Sequence, residues 1–169
     1  LYRDELIDTM WPDDPYDSSR KYLHTCITQI RRLLEPHGFG KALTLSNGKY
    51  VLDTDGMQCD YLQVVRSRLF LNHTFDAAQV REAERILSVY QGPLFADCDY
   101  PWAVEESERI QRRMNDLRYR LSDHYLRSGD YAAAAAAAEP LPRLCPFDER
   151  GYRVLFDAYR GLGNDSEAR

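Results

Sequence analysis

Apolar residues in this chain fall into short periodic groups separated by prolines, glycines and acidic turns, and the period of each group predicts its element. Leu6 and Met10 share one side of a short helix over Arg3–Met10, which Trp11-Pro12-Asp13-Asp14-Pro15 must end because proline cannot continue it. From Ser18 or Ser19 to Leu34, the spacing of Leu23, Ile27, Ile30 and Leu34 makes the stripe of an amphipathic helix, closed by Gly38 and Gly40. Ala42–Leu45 and Tyr50–Leu52 then flank Ser46-Asn47-Gly48-Lys49. Asn-Gly tolerates positive φ at both central positions, so a β-hairpin is predicted. The opening of the chain therefore reads helix, turn, helix, hairpin.

After Asp53-Thr54-Asp55-Gly56 the pattern is helical throughout. Asp60 with Gln63 and Asp76 with Gln79 have capping-box spacing and open predicted helices over Tyr61–Asn72 and Ala77–Gln91. Val80, Ala83, Leu87 and Tyr90 form the buried stripe of the second, and Gly92-Pro93 stops it. A loop over Leu94–Tyr100 leads to Pro101-Trp102, the first turn of a long helix with Ile110, Met114, Leu117, Leu121 and Tyr125 on one face. Phe95, Tyr100 and Trp102 read as core aromatics, with a partner or ligand pocket as the alternative.

The last third repeats itself. Leu121, Asp123, Tyr125, Gly129 and Ala134 recur as Leu155, Asp157, Tyr159, Gly163 and Ala168 at a displacement of about 34 residues, the period of a tetratricopeptide repeat (TPR). Leucine and tyrosine pack the first helix, glycine permits the tight turn, and alanine lets the second helix approach. Pro146 matches the repeat's punctuation, while Arg118 and Phe156 depart from it, so the pattern is TPR-like. The run Ala132–Ala138 suits a closely packed second helix better than a linker.

With 44% hydrophobic residues over 169, the chain can bury a core. No apolar run is long enough for a membrane helix, and Leu1-Tyr2-Arg3-Asp4-Glu5 lacks the shape of a signal peptide, which implies a cytoplasmic protein with no membrane partner. Cys26, Cys59, Cys98 and Cys145 are too dispersed for a zinc site or a disulfide framework and read as reduced thiols. The first residue is not methionine, and the last few begin what reads as another helix, so the chain is expected to be a piece of a longer polypeptide.

A formal net charge of −5 argues against nucleic acid as a partner, but its distribution reverses the argument. Between Pro15 and Leu52, Arg20, Lys21, Arg31, Arg32, Lys41 and Lys49 face only Asp17 and Glu35. At about 100° per residue, Lys21, Thr25, Thr28, Gln29 and Arg32 lie opposite the apolar stripe of the second helix, with His24 and Arg31 on its flanks. Arg32 and Gln29 can fork onto base edges, while Lys21, Arg31 and the threonine hydroxyls suit phosphates. The bland alternative is a solvated helix face. The following hairpin tips the balance, because Lys41 at its entry and Lys49 near its tip add a second element of the same charge.

Arg3-Asp4-Glu5-Leu6-Ile7 with Trp11-Pro12, then Ile27-Thr28-Gln29-Ile30-Arg31-Arg32-Leu33-Leu34, then Gly48-Lys49-Tyr50-Val51-Leu52, resemble the second half of a response-regulator type winged helix. Gly92-Pro93-Leu94-Phe95-Ala96-Asp97, Pro101-Trp102-Ala103 and the TPR-like repeats resemble the bacterial transcriptional activator domain of SARP/AfsR-type activators. The resemblance implies a mainly α chain: a partial winged helix-turn-helix with a C-terminal β-hairpin wing over 1–56, then an all-α TPR-like domain over 57–169 with repeats near 115–148 and 149–169. It implies a recognition helix at 19–34 and a wing at the hairpin. The winged helix's opening sheet and first helix have no counterpart here, so only part of the stripe is expected to be covered. The implied partners are double-stranded DNA, the transcription machinery or another regulator domain, and a second copy of the chain.

No cofactor is implied. His24, His37, His73 and His124 are scattered, no nucleophile-elbow or phosphate-loop motif occurs, and Glu105-Glu106 read as surface partners of Arg109, so an enzyme is not expected. The competing readings are a protein-interaction scaffold whose helix-hairpin part only docks against it, and a signal-transmitting module of a larger ATPase regulator.

Overall fold

Pro15 starts the longest helix of the first half. Its carbonyl accepts from the amides of Ser18 and Ser19, so the helix runs Tyr16–Leu34, beginning before the predicted serines. The computed structural model describes residues 1–71, 74–90, 92–98 and 100–163, in two compact units, Leu1–Gln58 and Cys59–Arg169. The molecule is mainly α, with a winged-helix-like start and a helical remainder.

In the first unit, α1 (Arg3–Met10) and α2 (Tyr16–Leu34) precede the antiparallel strands β1 (Leu43–Ser46) and β2 (Lys49–Leu52). The hairpin pairs Leu43 with Leu52 and Ser46 with Lys49, and Asn47 and Gly48 take the positive φ values, 50° and 76°, that its turn requires. Ile7, Leu23, Ile27 and Leu43 form the core, packed by Leu6, Trp11 and Tyr50. Ile7, not Met10, is the residue that α1 buries, and Met10 is exposed. The α2 stripe is covered over its first turns only: Leu23 and Ile27 are buried, Leu34 is half-buried, and Ile30 is 41% exposed. Leu1 and Tyr2 form an addition to the hairpin that periodicity does not suggest. The Tyr50 amide donates to Leu1 O at 2.9 Å, the Arg3 amide donates to Gly48 O at 2.9 Å, and Tyr2 bridges to Lys49.

The second unit contains α3 (Asp60–Arg66), α4 (Ala77–Val89), α5 (Pro101–Ser128), α6 (Tyr131–Ala138), α7 (Leu141–Leu144) and α8 (Glu149–Gly161). The helix predicted over Tyr61–Asn72 breaks at Ser67, whose ψ of 134° ends α3 before a 3-10 turn over Arg68–Leu71. The Ser67 hydroxyl donates to Glu82 at 2.8 Å and accepts from the Leu69 amide at 3.2 Å, a local alternative to continued helix. Asp60 lies just inside α3, with Cys59 as the cap residue, so the first capping box does not form. The second does: Asp76 Oδ1 accepts from the Ala78 and Gln79 amides at 2.8 Å, and Gln79 Oε1 accepts from the Asp76 amide at 2.9 Å. The predicted ends at Asn72 and Gln91 lie outside the described residues.

The core of this unit joins Val64, Leu69, Phe75, Ala83 and Ile86 to Ile110, Met114, Leu117 and Leu121 of α5. The periodic face of α5 is thus buried as predicted, with Tyr125 partly so. Ile86 is fully buried on α4, where the stripe led by Val80 and Leu87 omitted it. Ala134, Ala135 and Ala138 are buried where α6 packs closely against α5 and α8. Gly129 ends α5 in the left-handed region at φ 78°, and Gly163, 34 residues on, repeats it at φ 72°. Ala168, the last member of the repeat pattern, lies outside the described residues.

Candidate nucleic-acid interface

Burial of Leu23 and Ile27 fixes the rotation of α2 about its axis and therefore which side chains face solvent. Two further contacts hold it. The Tyr16 hydroxyl donates to Asp4 at 2.7 Å, tying the start of α2 to α1, and Arg31 Nε donates to Leu43 O at 2.9 Å, tying its last turn to β1. The Tyr16 bond, with Arg3 beside it, holds the Asp4 carboxyl below its ordinary range.

Lys21, His24, Thr25, Gln29 and Arg32 are exposed, and Thr28 and Arg31 are half-buried. The Thr25 and Thr28 hydroxyls donate back to the carbonyls of Lys21 (3.1 Å) and His24 (2.9 Å), so their methyls and oxygen lone pairs are what remains for a partner. Two shallow depressions lie along this helix. One, about 600 Å³, is lined by Arg20, Lys21, His24 and Thr25 with Asp17. The other, about 500 Å³, is lined by Thr28, Arg31, Arg32 and Lys41 with Glu35. Lys41 thus joins the helix residues, whereas Lys49 sits apart with Nζ 4.3 Å from the centre of the Tyr2 ring. Arg20 is a member that the reading of a single stripe misses. Its signal is its place one turn before His24, on the edge of the same face.

The described residues include no helix long and apolar enough to cross a membrane and no group of side chains that could hold a metal ion. Their cysteines are free.

The family model for the bacterial transcriptional activator domain matches residues 58–169. The chain belongs to the bacterial transcriptional activator domain family. This family is one of transcription regulators rather than enzymes, and its match bears out the resemblance to SARP/AfsR-type activators. A search of curated proteins finds no match. Among solved structures, the chain is similar to Mycobacterium tuberculosis EmbR in complex with a low-affinity phosphopeptide, with a TM-score of 0.76 and 21% identity. The similarity covers 99% of this chain and 46% of EmbR, so it extends the shared fold through the α1–α2–hairpin unit that precedes the activator domain.

Proposed function

We propose that the first unit binds double-stranded DNA by laying α2 in the major groove, while the activator domain recruits the transcription machinery, another regulator domain or a second copy of the chain. The observation that carries this reading is the row Lys21, Thr25, Thr28 and Arg32, lined with two depressions whose cations make no ion pair with a carboxylate among the described residues. A helix about 10–12 Å across fits a groove about 12 Å wide. Gln29 and Arg32, with Thr28, read base edges; Lys21, His24, Arg31, Lys41 and Lys49 grip the backbone, Arg31 through its guanidinium nitrogens other than the Nε held by Leu43, and Thr25, its hydroxyl proton held by Lys21 O, contributes its methyl. The chain acts in the cytoplasm as an activator, without catalysis or a cofactor.

Fluorescence anisotropy on short duplexes across a salt series tests this. We expect log affinity to fall linearly with log salt, and the double variant Gln29→Ala/Arg32→Ala to lose at least about tenfold in affinity for its preferred site. Absence of binding at low salt, or a double variant that binds as well as the parent, overturns the DNA reading and leaves the helical scaffold in its place.

A further inference from the structure

We propose that the aromatic corner formed by residues 92–98 and the start of α5 docks a segment of a partner protein carrying both leucine-like apolar side chains and arginine or lysine. The proposal rests on the reading that the activator domain recruits another protein, and it names where and by what chemistry.

Phe95, Tyr100 and Trp102 contradict their reading as core. They are 43%, 41% and 41% exposed and pack on one another instead. The rings of Tyr100 and Trp102 stack at 5.3 Å with an interplanar angle of 13°, and Phe95 stands edge-on to both, at 5.9 and 5.4 Å. Pro101 supplies the physical reason: with its fixed φ it opens α5 between Tyr100 and Trp102, and the first inward residue is the small Ala103. Phe95 holds φ at 57°, a region that phenylalanine rarely occupies, and so its exposed position is maintained against a backbone preference.

Phe95 lines two cavities. The larger, about 420 Å³, has an apolar floor of Tyr61, Val64, Leu94 and Ile110, with Asp60 and Asp97 at its polar positions. The smaller, about 190 Å³, shares Phe95 with it and is also lined by Tyr100, Val104 and Glu108. Neither contains a cation. From Gly92 to Glu108 the sequence carries five carboxylates and no lysine or arginine. Glu106 and Glu108 are held by Arg109 and Arg112, whereas Asp60 and Asp97 make no ion pair among the described residues. Apolar cavities select an aliphatic side chain, and aromatic faces beside these two carboxylates select a guanidinium or ammonium over either an anion or a neutral ligand. One segment bearing both side-chain types satisfies the whole corner.

The test uses the full chain and two short fluorescein-labelled peptides, one alternating leucine with arginine and the other leucine with glutamate. The basic peptide should bind saturably and perturb Trp102 emission, and the acidic one should not. Phe95→Ala and Asp97→Lys should each weaken the basic peptide by about tenfold or more. Asp157→Lys, an equal charge change at an exposed position on α8, should leave binding unchanged. Equal weakening by both lysine substitutions overturns the proposal by reducing it to net charge. Binding of octanol at the corner with no binding of the basic peptide overturns it in favour of a small apolar ligand. If Phe95→Ala fails to fold, Asp97→Lys against Asp157→Lys decides. DNA affinity, measured on the same variants, should not move, so loss of this proposal and loss of the DNA reading are separable.

Discussion

The two units treat their cations in opposite ways. In the activator domain arginines are building material: Arg109 pairs with Glu106, Arg112 with Glu108, Arg120 with Asp116, Arg127 with Asp123 and Arg150 with Asp148. Arg113, Arg120 and Arg150 also lie over the rings of Phe70, Phe75 and Tyr119. In the first unit Arg3 and Asp4 form the one ion pair among the described residues, and Arg20, Lys21 and Arg32 of α2 face solvent over a core of four buried residues. Charge count alone therefore misleads. What matters is whether a cation is engaged by its neighbouring carboxylate, as these arginines of the activator domain are, or makes no ion pair with the one a turn away, as with Lys21 and Asp17 or Arg32 and Glu35 on α2.

The largest expected effect breaks the comparison at its packed side. Leu117→Ala empties a fully buried position on α5 and should destabilise the activator domain by about 2–5 kcal/mol, read as a lowered calorimetric transition with DNA affinity retained. Simultaneous loss of DNA binding would show that the units do not act separately. Next, Arg32→Lys keeps the charge and removes the fork, and should reduce discrimination between sites by about 1–3 kcal/mol without changing the salt slope; Lys21→Ala should weaken all sites alike and lower the slope by about one. Identical behaviour of the two variants would leave α2 with phosphate contacts alone. Asp76→Ala removes the cap of α4 and should cost about 1 kcal/mol of activator-domain stability by urea unfolding.

The smallest effects are those of pH, and both belong to the activator domain. Burial, with the bond to Glu84, pushes the Tyr125 hydroxyl up to about 12, so its contribution is present below its ordinary value of 10 and is lost as pH rises towards 12. Tyr125→Phe should flatten alkaline unfolding in that window. The Arg150 contacts hold Asp148 down to about 2, so its contribution is present above 3.8 and lost as pH falls through about 2, and Asp148→Asn should flatten that acid limb.

Periodicity made α2, α5 and the hairpin legible because each buries one face only, and the 34-residue recurrence pointed to the two left-handed glycines. Ser67 was opaque for the opposite reason. Its hydroxyl is held by Glu82, on another helix, a partner fifteen residues away that a helical period does not reveal. The pairing of Leu1 and Tyr2 with the hairpin likewise joins residues nearly fifty positions apart. At the candidate interface the exposed face of α2 followed from the stripe opposite it, but the engagement of Arg31 with Leu43 O did not, since a charged flank residue looks the same whether it serves a strand or a partner. The aromatic corner was misjudged because composition records how apolar a ring is and not whether a proline has turned it outward.

Phe95 sets evolutionary and laboratory selection against each other. Glycine at this position would relieve a left-handed backbone by about 1 kcal/mol while deleting a ring that lines both cavities. A library screened for heat resistance alone should therefore drift to glycine or asparagine at 95, and one screened for partner capture should retain the aromatic, so position 95 reports which pressure a population has experienced.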